Sequence, residues 1–201
     1  MNQALPMVYI VRHGETAWTL TEQHTGRTDL PLTEEGERQA RELGPSLTAL
    51  SFDRIFSSPL RRAWRTAELA MPHAHVEEDD DLLEWDHGAY EGRRTVDIEV
   101  ERPGWRLLRD GSPGGETLAA VGARADRVIG RLRARGGNVL LFGHREALRI
   151  LGARWIGLAP IEGRRLLLAT ASLSVLGYDH DLTEPVIHVW NGRVAATAGA
   201  K

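Results

Sequence analysis

Two histidines in this chain follow short apolar segments. His13 comes one arginine after the segment 7–11, and His144 comes one glycine after the segment 138–142. Apolar runs of this length are typical of buried strands. Because polar groups at the carboxyl ends of parallel strands meet at one edge of an α/β sheet, we expect both imidazoles to lie at one site.

Arginines near the same strand ends indicate what the histidines could act on. Arg12 directly precedes His13, and the pair Arg61-Arg62 follows a short predicted strand. The planar guanidinium matches phosphate oxygens, and a neutral imidazole nitrogen is a competent nucleophile near pH 7. These residue types favour phosphoryl transfer through a phosphohistidine on His13, with Arg12, Arg62 and His144 binding the phosphoryl oxygens.

Such a reaction also needs an acid for the leaving group. Glu84 is the best candidate, since its apolar neighbours would raise the carboxyl pKa so that it holds a proton. Asp86, Glu15 and Glu91 are weaker candidates. Taken singly, each of these residue types is more often structural, and Arg61-Arg62 alone would be a solvated helix face. Metal ligation by the two histidines is a further alternative, which their spacing does not favour.

The elements that must position these residues alternate along the chain. Strands are predicted at 7–11, 54–56, 138–142, 172–178 and 186–190, and helices at 34–50, 60–71, 95–101, 117–135 and 146–156. Gly44-Pro45 should kink or interrupt the first long helix, and the acidic run 77–81 is expected to be a solvated loop. The alternation predicts a three-layer α/β/α sandwich, in which helices cover both faces of a mostly parallel central sheet.

Composition limits the function classes. The 201 residues suit one domain over 1–201, with flexible tails at 1–6 and 194–201. A net charge of −3 argues against a nucleic-acid partner, and the absence of cysteine excludes disulfides and Cys-ligated metal. There is no signal-peptide pattern at the start and no apolar stretch near the ~20 residues of a membrane span. We therefore expect a soluble cytoplasmic protein without a membrane partner; a homodimer is compatible with the sequence.

Several segments, taken in order, resemble the histidine phosphatase superfamily, also called phosphoglycerate-mutase-like. The matching segments are 12–16 (RHGET), 25–33 (TGRTDLPLT), 58–63 (SPLRRA), 83–92 (LEWDHGAYEG), 113–117 (PGGET) and 143–144 (GH). The third segment selects Arg62 over Arg61. The resemblance implies His13 as the phosphorylated nucleophile, Glu84 as the proton donor, and no metal or organic cofactor.

The resemblance also implies substrate contacts, and here the chain departs from its relatives. Thr25 and Gly26 align with a substrate-contacting stretch, whereas Thr19 stands where many members have asparagine, so a phosphate contact there is lost or water-mediated. Arg145 replaces the glycine that usually follows the second histidine, and it either points to solvent, narrows the pocket or supplies a cation. Four arginines make an acidic group at the far end of the substrate plausible: Arg93, Arg94, Arg145 and Arg149.

The chain is more similar to the phosphatases of this family than to its mutases. The mutases carry extra chain and a basic segment after the donor glutamate, but here the segment 84–87 is acidic and aromatic. Segments 84–92, 105–111 and 176–180 resemble sedoheptulose-bisphosphatase-type and acid phosphatase members. We expect a phosphomonoesterase for small phosphorylated metabolites such as sugar phosphates or bisphosphates, with a cofactor-dependent phosphoglycerate mutase as the alternative.

Overall fold

A computed structural model of the chain describes residues 5–192. Most of the expected flexible tails, 1–4 and 194–201, fall outside this range. One six-stranded sheet runs in the order β3-β2-β4-β1-β5-β6. The strands are β1 (Val8–Arg12), β2 (Arg54–Ser57), β3 (Glu77–Glu78), β4 (Val139–Gly143), β5 (Leu173–Tyr178) and β6 (Pro185–Gly192).

The sheet is mostly parallel, as the sequence predicts. β3, β2, β4 and β1 run in the same direction, whereas β5 pairs antiparallel with β1 and β6 pairs antiparallel with β5. The last pair is irregular, with register shifts on either side of Val175. The two edge strands are irregular: β3 has only two residues, and β6 pairs irregularly with β5. Neither is a regular template for pairing with a further strand.

The register of β1 and β4 sets the level at which the two histidines leave the sheet. Arg12 pairs with Gly143, and the His13 amide donates to the Gly143 carbonyl at 3.0 Å. The two histidines consequently leave adjacent parallel strands at the same level. All five residues of β4 are buried, as expected for a strand covered on both faces.

Seven helices cover the sheet within residues 5–192. They are α1 (Ala17–Leu20), α2 (Glu34–Thr48), α3 (Arg61–Ala70), α4 (Thr95–Glu101), α5 (Leu107–Asp110), α6 (Leu118–Arg135) and α7 (Arg145–Trp155). Leu43 and Ala67 of α2 and α3 pack with Phe142 in one core. Val128 and Leu148 of α6 and α7 pack in the core on the opposite face. Helices on both faces confirm the three-layer prediction.

Threonine caps begin the two longest helices, and a glycine ends one of them. The Thr33 hydroxyl accepts a hydrogen bond from the Gly36 amide at 3.0 Å and caps α2. Thr117 caps α6 in the same way through the Ala120 amide at 3.1 Å. Gly136 ends α6 with a φ of 66°, a left-handed conformation that glycine adopts without steric cost.

Two expectations about local structure are wrong. Helix α2 ends at Thr48, close to the expected end, but it continues through Pro45, where a kink or an interruption was expected. Proline removes one backbone hydrogen bond, but Leu43 and Leu47 on either side are anchored in the core, with no more than 1% of their surface exposed. Burial of the apolar face therefore outweighs the local preference of proline.

The acidic run 77–81 is the second correction, because it is neither a loop nor free of partners. It forms the edge strand β3 and a 3-10 turn at Asp80–Leu82. Arg131 of α6 contacts Asp79 at 2.6 Å and Asp81 at 2.7 Å. These ion pairs join the edge of the sheet to α6, a long-range contact that local composition does not reveal.

Gly14 and Gly36 lie where the segment after β1 meets the start of α2. A Cβ atom on Gly14 would lie 2.4 Å from the Gly36 carbonyl oxygen, and one on Gly36 would lie 2.1 Å from the Glu15 carbonyl oxygen. Both distances are far below van der Waals contact. The two glycines therefore let the start of α2 pack directly against the segment after β1.

No helix in the described range 5–192 is long and apolar enough to cross a membrane.

We expect Gly36→Ala to lower the free energy of unfolding by about 1–3 kcal/mol, since the added methyl has no space beside Glu15. Gly130→Ala is the matched control: Gly130 lies inside α6, and its added Cβ would meet nothing within 4 Å. That variant should gain about 0.5–1 kcal/mol. Urea denaturation measures both, and a Gly36→Ala protein as stable as the Gly130→Ala protein would contradict the packing argument.

Candidate active site

His13 lies at the end of β1 as a buried and neutral imidazole. Its Nδ1 is 2.7 Å from the Gly14 carbonyl oxygen. A carbonyl only accepts, so Nδ1 carries the proton and Nε2 keeps its lone pair. Burial lowers the pKa of His13 well below its ordinary 6.5, and the charges of Arg62 and Arg12 lower it further. At neutral pH this histidine is therefore an uncharged imidazole with a defined tautomer, whose Nε2 lone pair could act as a nucleophile.

His144 lies beside His13, with 5.3 Å between the ring centroids. Its Nδ1 accepts a hydrogen bond from Nε of Arg62 at 3.1 Å, so the proton is on Nε2, which donates to the Ser58 hydroxyl at 2.8 Å. Burial is the main cause that lowers the pKa of His144 well below its ordinary value, followed by the charge of Arg62. His144 is thus held as a neutral hydrogen-bond donor.

Arg62 is fully buried although it lies in α3 next to the exposed Arg61. Besides His144, its guanidinium donates to the carbonyl oxygens of Gly26 at 2.8 Å and Thr28 at 3.0 Å. Burial lowers the pKa of Arg62 from its usual value. This side chain supplies positive charge to the site and also fastens the segment 25–28 to it.

Arg12 is positioned to bind an anion. One Nη donates to the Leu168 carbonyl at 2.7 Å, while its Nε is buried without a hydrogen-bond partner among residues 5–192. Burial lowers the pKa of Arg12 to about 10, with Arg145 as the next cause, so the guanidinium stays charged at pH 7. An unsatisfied buried donor of this kind favours a negatively charged ligand.

Glu84 is a buried carboxyl group at the start of α7. Its two oxygens accept hydrogen bonds from the amides of Trp85 at 2.9 Å, Ala147 at 2.9 Å and Glu146 at 3.0 Å. Burial raises the pKa of Glu84, the neighbouring Glu146 raises it further, and the three amides oppose this shift. The net direction agrees with a group that can hold a proton for a leaving group.

A cavity of about 480 Å³ brings most of the predicted residues together. Its walls include Arg12, His13, Thr19, Thr25, Glu84 and Arg145. Three other predicted residues lie behind this wall and are fully or almost fully buried: Gly26, Arg62 and His144. They support the cavity from behind: Arg62 hydrogen-bonds both His144, which lies beside His13, and the carbonyl of Gly26 in the segment 25–28.

Thr19 and Thr25 line the cavity, but their hydroxyls already have hydrogen-bond partners within the protein. Thr19 donates its hydroxyl to the Thr16 carbonyl at 2.8 Å and accepts from the Thr16 amide at 2.9 Å, so it closes a capping box at α1. Thr25 donates to the Gln23 carbonyl at 3.1 Å. Both hydroxyls are engaged within the protein, and their role toward a substrate stays a prediction.

The weaker acid candidates have structural partners. Glu91 accepts from the amides of Gly26 at 2.8 Å and Thr28 at 3.1 Å, and so holds the segment that Arg62 also binds. Glu15 accepts from the Thr33 hydroxyl at 2.7 Å. Asp86 caps the following 3-10 turn through the Gly88 amide at 2.9 Å.

The supporting contacts of several residues around the site were not predicted from the sequence. Ser58 orients His144, and the Thr66 hydroxyl accepts from the Gly14 amide at 3.0 Å. His24 and His87 also line the cavity, with 5.3 Å between their ring centroids. Burial lowers the pKa of both, that of His24 to about 4. Thr66 could have been found from its helical spacing, since it lies one turn after Arg62 on the buried face of α3.

One group of side chains in the described range could hold a metal ion: Asp179, His180 and Glu184. All three are exposed, and His180 already pairs with Glu184 at 2.7 Å and Asp179 at 3.1 Å. The turn follows β5, which runs antiparallel to β1. It therefore lies near the amino end of β1, whereas His13 follows the carboxyl end. The cluster is therefore separate from the phosphate site.

We expect Thr66→Val to lower the free energy of unfolding by about 1–3 kcal/mol, because it leaves the Gly14 amide without a partner. It should also lower turnover, since that amide adjoins His13. Thr48→Val is the control: the Thr48 hydroxyl bonds its own helix at 2.8 Å, as Thr66 does at 2.7 Å, but it is exposed. Equal losses in denaturation and activity assays for the two variants would refute this role.

The chain is similar to known proteins over most of its length. Residues 8–192 match the sequence model of the histidine phosphatase superfamily, branch 1. The chain is 37% identical to an acid phosphatase of Mycobacterium tuberculosis, over 87% of this chain and 88% of that protein. It is 36% identical to a sedoheptulose 1,7-bisphosphatase of Saccharomyces cerevisiae, over 79% of this chain and 70% of that protein.

Two further similarities extend the comparison. A probable phosphoglycerate mutase of Salmonella choleraesuis is 36% identical, over 85% of this chain and 84% of that protein. The solved structure of an open reading frame of Mycobacterium tuberculosis superimposes with a TM-score of 0.88 at 34% identity, covering 94% of this chain and 98% of that one. The chain therefore belongs to the histidine phosphatase superfamily, and its relatives support a phosphatase enzyme.

Proposed function

We propose that this protein hydrolyses small phosphate monoesters through a phosphohistidine on His13, with Glu84 as the proton donor. The observation that carries the proposal is the state of His13. Its Nδ1 proton is fixed on the Gly14 carbonyl, its pKa is lowered by burial, and it lines the same cavity as Arg12 and Glu84. A neutral imidazole beside unsatisfied positive charge is suited to attack phosphorus.

The first step forms the phosphohistidine. Nε2 of His13 attacks phosphorus as the bond to the ester oxygen breaks, and the leaving oxygen takes the proton of Glu84. Arg12, Arg62 and His144 stabilise the equatorial oxygens, over which negative charge spreads in the transition state. The raised pKa of Glu84 keeps a larger fraction protonated near neutral pH than an exposed glutamate would have.

The second step returns the enzyme to its starting state. A water attacks phosphorus, the nitrogen–phosphorus bond breaks, and the Glu84 carboxylate takes a proton from that water. Inorganic phosphate leaves, and His13 is again neutral with its proton on Nδ1. Glu84 therefore acts first as an acid and then as a base. The pKa raised by burial lets the carboxyl group hold a proton in the first step and take one up in the second.

The substrate class follows from the size of the cavity and from the relatives. A volume of about 480 Å³ suits a small metabolite, and the relatives include an acid phosphatase and a sugar bisphosphatase. Sugar phosphates and bisphosphates are therefore the substrates we propose. The similarity to a probable phosphoglycerate mutase keeps mutase activity as the second candidate.

We expect His13→Ala to abolish turnover and to abolish acid-labile labelling by a radioactive substrate, because it removes the nitrogen that attacks phosphorus in the proposed first step. The control is His75→Ala, since His75 is exposed and lines no part of the cavity. Quenched-flow labelling measures the phosphoenzyme directly. Retained labelling in the His13→Ala protein would place the phosphoryl group elsewhere.

The same preparation separates hydrolysis from phosphoryl return. With 3-phosphoglycerate and a 2,3-bisphosphoglycerate primer, a phosphatase releases inorganic phosphate. Isomerisation without phosphate release would favour the mutase and overturn the hydrolase proposal.

We expect Glu84→Gln to slow alkyl phosphates about 10²–10⁴-fold and activated aryl phosphates much less, since a good leaving group needs no acid. For alkyl esters, kcat/KM of the unmodified enzyme should fall as pH rises through the raised pKa of Glu84, because only the protonated form is active in the first step. This dependence should vanish in Glu84→Gln. Glu22→Gln, on the same cavity, should keep it; equal losses on both ester types would exclude the donor role.

A further inference from the structure

A second cavity of about 440 Å³ opens beside the catalytic one. The two cavities share four wall residues: His24, Thr95, Arg145 and Glu146. These residues border both cavities, so a ligand whose phosphoryl group lies at His13 would reach the second cavity by passing them. The volume of the second cavity is within the range of small-molecule sites.

The second cavity is rich in positive charge. Within residues 5–192, Glu146 is the one carboxylate on its wall. Five arginines line the same wall: Arg106, Arg109, Arg145, Arg149 and Arg164. The charge of Glu146 is already compensated, since Nη1 of Arg149 donates to its two oxygens at 3.0 and 2.8 Å. The lining therefore presents an excess of cations to a ligand.

Three of these arginines are committed to other partners. Arg149 is buried and also donates to the carbonyls of Gly163 at 3.0 Å and Arg164 at 2.8 Å. Arg109 contacts Asp110 at 2.8 Å, and Arg106 pairs closely with Glu99. These side chains build the walls of the cavity rather than offer free donors.

The remaining two arginines have only loose carboxylate contacts. Nε of Arg145 lies 3.5 Å from Glu146, whose oxygens are taken by Arg149, and Arg164 lies 3.4 Å from Glu162. About half of each side chain is exposed. The Arg164 backbone is held by Arg149, so its position is set by a buried hydrogen bond. Both guanidinium groups can therefore receive an anion without breaking a strong ion pair.

Arg145 connects the two cavities. It lines both, and its charge is the second largest cause of the lowered pKa of Arg12. It is therefore near the phosphoryl site as well as the second cavity. A substrate with negative charge at both ends would meet Arg12 at one end and Arg145 with Arg164 at the other.

We propose that the second cavity is a distal anion subsite, in which Arg145 and Arg164 bind a second phosphate or a carboxylate of the substrate. The inference rests on the proposed phosphatase function and narrows its substrate class to phosphate esters with two anionic groups. The middle of such a substrate would pass His24 and Thr95, which hydrogen-bond each other at 3.1 Å. Trp105 and Leu107 add an apolar wall against which a carbon chain can pack.

Two arginines considered from the sequence do not belong to this subsite. Arg93 pairs with Glu101 at 2.7 Å, and Arg94 pairs with Asp97 at 2.8 Å. Neither lines the catalytic cavity or the second cavity. Arg149 acts only indirectly, through its hold on Glu146 and on the Arg164 backbone.

The test compares kcat/KM within two matched substrate pairs on the full chain. Fructose 1,6-bisphosphate against fructose 6-phosphate tests a distal phosphate, and 3-phosphoglycerate against glycerol 3-phosphate tests a carboxylate. The unmodified enzyme should prefer the doubly anionic member of at least one pair. Arg145→Gln and Arg164→Gln should each reduce that preference roughly 10- to 100-fold, the loss of a hydrogen bond to a charged group. Arg145→Lys should retain part of it.

Controls separate this inference from the proposed function. Arg38→Gln changes an exposed arginine of α2 that lines neither cavity, and it should leave the preference unchanged. Thermal unfolding confirms that each variant is folded. No preference in either pair, or a preference that survives either glutamine substitution, overturns the subsite. If p-nitrophenyl phosphate, which has no second anion, is still hydrolysed in a His13-dependent way, the phosphatase proposal stands although the subsite fails.

Discussion

The hydrogen bonds of the buried Arg62 guanidinium hold together the end of the sheet at which His13 and His144 lie. The guanidinium joins α3 to His144 and to the carbonyls of Gly26 and Thr28, so that one side chain fixes segments far apart in sequence. A buried charge is costly unless it is hydrogen-bonded, and here the groups that satisfy it belong to the site itself. The same charge lowers the pKa of His13 and His144. The Arg62 guanidinium thus both holds these segments together and helps to keep the two imidazoles uncharged.

Residues next to strand ends were the part of the site that sequence could predict. His13 and His144 follow β1 and β4 because an apolar run must end where the sheet meets solvent, and parallel strands end at the same edge. The alternation of apolar runs and helical segments predicted the α/β layers. The choice of Arg62 over Arg61 depended on the family resemblance. Local periodicity alone predicts that both arginines lie on a solvent-exposed helix face.

What could not be predicted depends on contacts between distant segments. Pro45 was expected to break α2, but burial of the neighbouring leucines holds the helix together. Which arginines are free also follows only from the fold: Arg149 is consumed by Glu146, whereas Arg145, one helical turn away, is not. Sequence shows that a charge is present, and pairing in space decides whether a ligand can use it.

The irregular pairing of β5 and β6 has a consequence for how copies of this protein could meet. An edge strand with free amides and carbonyls is a template for strand addition. Here β6 begins with Pro185, which has no amide proton, and the register shifts around Val175 give the hairpin a stronger local twist. At the other edge, β3 offers two residues. These features make both edges less regular templates for a continuous intermolecular sheet.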